Sequence, residues 1–177
     1  MKRSAEDAIL ERLLRLVPLT PHQPLGPGDD CAAVRCGKPG SLLLLKTDCV
    51  AEDVHFLRSQ DPAQVGWKAL CRPLSDIAAM GGTPEHALVT FFSPPDVPPA
   101  YWERFYRGLG RAARRFGVTI AGGEMSRQPA GIAVSVMLTG QVAARCLVTR
   151  SGGRAGDGLA LFQRSSRTQS AGHTRPA

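Results

Sequence analysis

Lys68 to Gly82, KALCRPLSDIAAMGG, is the stretch on which the rest of the chain hangs. Val65, Ala69, Leu70, Leu74, Ile77 and Ala78 recur at three- and four-residue steps, the period of a helix face that packs on a core. Asp61-Pro62 supplies an N-cap and first-turn pair, and Gly81-Gly82 supplies a stop. Within that apolar run sits one carboxylate, Asp76, beside Ser75. Burying a carboxylate alone is costly or forces its protonation, so Asp76 needs a partner. Arg72, four residues back, offers a helix-surface pair worth roughly 0.3 kcal/mol. A metal ion shared with other carboxylates is the second partner the residue types allow.

Outward from this helix, strands alternate with helices, which points to a layered α/β domain. Ser4 to Val17 reads as an amphipathic helix with a capping-box-like start and a stripe of Ile9, Leu10, Leu13, Leu14 and Val17. Pro18, Pro21, Pro24 and Pro27 then deliver the chain to Gly28-Asp29-Asp30. A short strand is predicted over Ala32–Arg35 and a turn over Gly37–Gly40. The apolar run Ser41–Thr47 suits a strand buried on both faces, ending in Lys46-Thr47-Asp48. A loop over Val50–Phe56 carries Glu52, Asp53 and His55. Further strands are predicted over His86–Phe92, Val118–Ala121, Ile132–Val142 and Gly158–Phe162. A third helix runs from Ala100 to Phe116, with Trp102, Phe105, Tyr106, Leu109, Ala113 and Phe116 on one face and Gly117 as its cap. Residues 163–177, QRSSRTQSAGHTRPA, lack large apolar side chains and are expected to be a disordered tail outside the domain formed by residues 1–162.

Composition narrows the function classes. The 177 residues, 43% hydrophobic and 21% charged, suit one globular domain with a substantial core. No apolar run approaches the roughly 20 residues that span a bilayer, and early acids break any secretory segment, so a cytoplasmic location is expected. Five cysteines without a CxxC are neither a disulfide framework nor a zinc site of recognised spacing, and buried thiols are the default reading. Arg164, Arg167 and Arg175 in the tail supply three of the net +7 charges. Without a basic face rich in base-reading residues, nucleic-acid binding is not expected.

Four acidic sites share a placement. Asp29-Asp30 precedes a strand, Asp48 ends one, Glu124 follows a strand and Gly122-Gly123, and Asp76 sits on the helix. Strand ends and their loops are where α/β layers place ligands. If these carboxylates converge, like charges repel by about 4 kcal/mol per pair at about 4 Å and an effective dielectric of about 20, so convergence implies a cation. An all-oxygen set that includes the Thr47 hydroxyl favours magnesium or calcium over zinc or copper, and the EF-hand spacing is missing. Magnesium on a few carboxylates ordinarily carries phosphate. Gly122-Gly123 lets backbone amides approach an anion, and Arg150 beside Ser151-Gly152-Gly153 offers a charged fork. Neither a P-loop nor a protein-kinase signature is present.

The blocks GPGDDCAAV (26–34), KTDCVAEDVHF (46–56), DPAQVGWKAL (61–70), LSDIAAMGGTP (74–84), FYRGL (105–109), GGEMSR (122–127) and TRSGGRAGD (149–157) resemble, in order and spacing, the thiamine-monophosphate kinase family of the aminoimidazole-ribonucleotide synthetase-like superfamily. The resemblance implies that superfamily's N-terminal domain: a mixed sheet with helices on one side, its sheets pairing in a homodimer. It implies ATP- and magnesium-dependent phosphorylation of thiamine monophosphate to thiamine diphosphate. By position, Asp30, Thr47, Asp48, Asp76 and Glu124 look like the family's magnesium ligands. His55 looks like its substrate contact, and Tyr106, Gly123, Glu124 and Arg150 like its nucleotide contacts. No catalytic residue beyond the metal ligands is assigned, because an already ionised phosphate acceptor needs little help from a base. Plainer roles remain open: His55 as a structural histidine, Tyr106 as core packing, Arg150 as a solvated charge, Asp29 as a turn residue.

Three departures from the family stand out. Glu124 replaces Asp, Pro73 replaces Asn inside the central helix and should kink it near Asp76, and the second domain that completes the family's site has no counterpart. An incomplete form is therefore expected. The alternatives are another enzyme of the superfamily, acting in hydrogenase maturation or selenophosphate synthesis, and a non-catalytic dimerisation fragment.

Overall fold

The computed structural model describes residues 5–18 and 24–158. The elements run α1 (Ala5–Leu14), β1 (Ala32–Arg35), β2 (Ser41–Ala51), α2 (Pro62–Ala79), β3 (Thr83–Ser93), α3 (Pro99–Phe116), β4 (Thr119–Arg127) and β5 (Ala133–Ala143), with a short 3-10 turn at Ala144–Cys146. One mixed sheet of order β1-β2-β5-β3-β4 holds all five strands. The β1–β2, β2–β5 and β3–β5 pairs are antiparallel, and β3–β4, joined through α3, is parallel.

Alternation along the strands decides the layering. Leu42, Leu44 and Val50 of β2, Ala87 and Val89 of β3, and Val134, Val136 and Leu138 of β5 are buried. These side chains meet Leu70, Ile77, Phe105 and Leu109 of α2 and α3 in one core. Asp61 caps α2, accepting from the Ala63 amide at 3.0 Å, and Gly117 closes α3 in the left-handed conformation at φ 70°. The two helices touch backbone to backbone. A Cβ on Gly66 would collide with the Phe105 carbonyl, and one on Gly108 with the Ala63 carbonyl.

Several expectations need correction. The first helix ends at Leu14 rather than Val17, and Ile9, Leu10 and Leu13 are exposed, so its stripe does not join the core. The Ser41–Thr47 run is buried on one face only, because both packing helices lie on the same side of the sheet. The strand also continues to Ala51, so Thr47 and Asp48 lie inside it rather than at its end. Likewise β4 does not stop at Ala121: Gly122, Gly123 and Glu124 are strand residues paired with β3, past a register shift. Only Cys31 is a buried thiol, Cys71 is intermediate, and Cys36, Cys49 and Cys146 are exposed. Pro73 is buried within α2, which continues unbroken to Ala79. The start of the first helix at Ser4, the strand expected at residues 158–162 beyond Gly158, and the tail lie outside the described residues. No helix among those described is long and apolar enough to cross a membrane.

Candidate functional site

The even-numbered residues of β2 point to the helix layer, which puts Lys46 and Asp48 opposite α2. Lys46 Nζ lies 2.5 Å from Asp76 Oδ2, and Arg72 Nη2 lies 3.0 Å from Asp48 Oδ1. Arg72 thus serves the strand carboxylate and not Asp76, its neighbour one turn away. The third pair closes over the turn before β1. Arg150 donates through Nε at 2.9 Å and Nη2 at 2.5 Å to Asp30 Oδ1, and its backbone amide donates to Asp29 Oδ2 at 3.1 Å. Asp29 is also a turn residue, accepting from the Asp30 amide at 2.8 Å.

Asp29, Asp30 and Asp76 act on one point. Burial first, and then the fields of Asp76, Asp30 and Asp29, push the Cys31 thiol up to about 11, with Lys46 opposing them. Among the described residues no three His, Cys, Asp or Glu side chains form a ready-made metal cluster. The donors nevertheless fit a hard divalent cation in kind: they are carboxylate oxygens, and Asp30, Asp48 and Asp76 each already hold a cationic side chain.

The other two expected oxygen ligands lie on the opposite face. Thr47 Oγ1 is 3.3 Å from Ser135 Oγ of β5. Thr90 of β3 pairs with both Ser135 and Glu124, so Glu124 shares the face of Thr47 and Ser135. The set therefore divides, with Asp30, Asp48 and Asp76 toward the helices and Thr47 and Glu124 on the open face.

Tyr106, Gly123 and Glu124 do come together, from α3 and β4, in a cleft of about 400 Å³ that Phe91, Ile120 and Met125 complete. An adjoining apolar cleft of about 430 Å³ shares Phe91, Tyr106 and Met125 and adds Val97, Pro99 and Trp102. Burial raises the Tyr106 phenol above its ordinary range, so it stays a neutral donor. Gly123 has a packing reason of its own, since a Cβ there would collide with the Val89 backbone. Along the outer side of α3, Arg107, Arg111 and Arg114 line a further open cleft with Tyr106, a basic row that composition did not reveal.

His55 lies elsewhere, lining a smaller cleft with Asp53, Phe56 and Gln60. Its Nδ1 accepts from the Ala51 amide at 3.1 Å, which assigns the proton of the neutral ring to Nε2. The loop is fixed further by Glu52, which sequence reasoning passed over. Glu52 takes two bonds from Arg58, at 2.6 and 2.8 Å, and one from the Ile132 amide at 2.8 Å. Arg58, first, and that amide hold the Glu52 carboxyl below the usual carboxylate range. Lys46 was missed too; the alternation of β2, which puts residues 46 and 48 on one face, was the signal that could have found it.

Residues 28–142 match the AIR synthase related protein family, N-terminal domain. A thiamine-monophosphate kinase of Aquifex aeolicus is 43% identical over 133 residues, covering 75% of this chain and 42% of that protein. One of Mycobacterium tuberculosis (strain ATCC 25618 / H37Rv) is 34% identical over 162 residues, covering 91% and 48%. Among solved structures, AaThiL complexed with AMPPCP and TMP superposes with a TM-score of 0.74 at 36% identity, over 89% of this chain and 48% of that one. Hydrogenase maturation protein HypE in complex with ATP, at 23% identity, TM-score 0.53 and coverage of 82% and 42%, shares the fold alone. The chain thus spans about half the length, or less, of the relatives it matches.

Proposed function

The chain belongs to the family of AIR synthase related proteins, and from that premise we propose that it is the nucleotide- and magnesium-binding part of a thiamine-monophosphate kinase. The observation that carries the reading is the cleft. Tyr106 of α3 and Gly123 and Glu124 of β4 line one cavity, beside an apolar recess with the rings of Phe91 and Trp102. An apolar recess next to a few polar groups suits a nucleobase and its sugar.

In the proposed reaction a phosphate oxygen of thiamine monophosphate attacks the γ-phosphorus of ATP. The bond from that phosphorus to the β–γ bridging oxygen breaks, ADP leaves, and thiamine diphosphate forms. The acceptor oxygen is already ionised, so positioning and charge neutralisation carry the catalysis. Magnesium, when bound, would supply positive charge to the phosphate oxygens; Asp30, Asp48 and Asp76, which face the helix layer, are the carboxylates that would hold it, while Glu124 and Thr47 lie across the sheet from them. His55 Nε2–H is a donor for the substrate. Arg150 is a donor for the nucleotide's phosphates.

The open face of the sheet, with Leu88 40% exposed, supports a homodimer formed by pairing of two sheets. A second copy would explain why a leucine-rich strand is covered on one side only. An ATP-consuming biosynthetic step is also consistent with a cytoplasmic location.

The test is Mg·ATP binding by calorimetry, together with thiamine diphosphate formation by the purified chain beside a full-length relative. Tyr106→Ala and Glu124→Gln should each weaken Mg·ATP binding, and turnover by this chain alone should be small, because donor, acceptor and metals must be held to well under an ångström. Unchanged affinity in both variants would overturn the reading.

A further inference from the structure

Three aspartates each hold a cation of this chain, but the three cations are not alike. Lys46 is anchored in β2 and Arg72 in α2, so their backbones are fixed by the sheet and the helix. Arg150 lies in the 149–157 segment, its side chain 63% exposed against 23% for Asp30. Val148 donates to the Met80 carbonyl at 3.3 Å just before this segment. Among the described residues, the hydrogen bonds that tie 149–157 itself to the rest of the domain are the three from Arg150 to Asp29 and Asp30. Those bonds bridge 120 or 121 residues of sequence. Two of its three guanidinium nitrogens, Nε and Nη2, converge on a single oxygen, Asp30 Oδ1.

That oxygen cannot serve a guanidinium and a divalent ion at once. Each is cationic, and two cations sharing one carboxylate oxygen repel at contact distance. A guanidinium in an exposed ion pair is held weakly, within about 1 kcal/mol, so a divalent ion can displace it. Once expelled, it is a planar fork with two donors ready for an anionic oxygen.

We propose that Arg150 is a placeholder cation: in the empty chain it neutralises Asp30 and ties the 149–157 segment to the Asp29-Asp30 turn, and a divalent ion entering at Asp30 expels it. The inference rests on the reading that Asp30 serves a magnesium ion. It carries a signature that a merely structural ion pair lacks, which is that removing Arg150 strengthens binding of the metal alone.

The experiment titrates Mg²⁺, without nucleotide, into the 177-residue chain by calorimetry. The variants are Arg150→Ala, Arg150→Lys, Arg154→Ala and Asp30→Asn, each checked for folding by circular dichroism. Arg150→Ala should bind Mg²⁺ about two- to five-fold more tightly than the wild type, the range an exposed ion pair spans. Arg150→Lys, which keeps the charge without the fork, should fall between them. Arg154→Ala, in the same segment, should match the wild type, and Asp30→Asn should bind more weakly. Equal or weaker binding in Arg150→Ala with weakened binding in Asp30→Asn overturns the placeholder and leaves the metal reading standing. An equal gain in Arg154→Ala overturns it as a general charge effect. Wild-type affinity in Asp30→Asn, or no Mg²⁺ binding by any protein, sinks both.

Discussion

Lys46 Nζ on strand β2 sits 2.5 Å from Asp76 Oδ2 on helix α2, each side chain 23% exposed. The pair joins the layer of helices to the sheet at the point where both would otherwise leave a charge poorly solvated. Its worth should lie between that of a surface pair and that of a fully buried one. Lys46→Met should therefore cost about 1–2 kcal/mol, and Asp76→Asn on top of it should recover part of that loss. Urea unfolding of the two single variants and the double variant gives the coupling directly. A coupling energy indistinguishable from zero would mean that the contact is not energetically real.

The helix crossing makes a prediction of opposite signs. Gly66→Ala and Gly108→Ala push a methyl into backbone carbonyls that cannot move without separating α2 from α3. Each should cost about 3 kcal/mol or prevent folding. At Gly110 the nearest atom is the flexible end of Arg114, 3.5 Å away, so Gly110→Ala should gain up to about 1 kcal/mol from helix propensity. Thermal midpoints of the three variants check the contrast, and a destabilised Gly110→Ala would contradict it.

Acid should loosen the loop that carries His55. The Glu52 carboxyl is depressed below its ordinary 4.5, by Arg58 foremost. A depressed carboxylate contributes stability that is present above the unfolded value and is lost as pH falls through the folded one. Glu52→Gln, which leaves Arg58 without its charge partner, should be about 1–2 kcal/mol less stable than the wild type at pH 7. That gap should close as the pH falls below 4.5 and through the depressed folded value. Urea midpoints measured from neutral to acid pH test it; a gap that persists in acid would remove Glu52 from the acid-sensitive groups.

Reading the residues in order recovered what depends on near neighbours. The apolar period from Val65 to Ile77 became the core face of α2, though Ala78, expected on the same face, is exposed; Asp61 capped the helix and Gly117 ended α3, because caps and helix faces involve side chains within a turn of one another. The blocks around Asp30, Asp48, Asp76 and Glu124 likewise identified the family. Tertiary structure alone decided which of these residues can act together. Thr47 and Asp48 are adjacent in sequence yet lie on opposite faces, since a strand alternates its side chains, and only the position of α2 made one of those faces interior. Arg72 answered Asp48 rather than the Asp76 one turn away, and Arg150 reached back to Asp30 across the whole domain. Such pairs depend on sheet register and helix packing, which place atoms tens of residues apart within 3 Å of each other. Periodicity along the chain says which face a residue takes, but not which charge it will meet there.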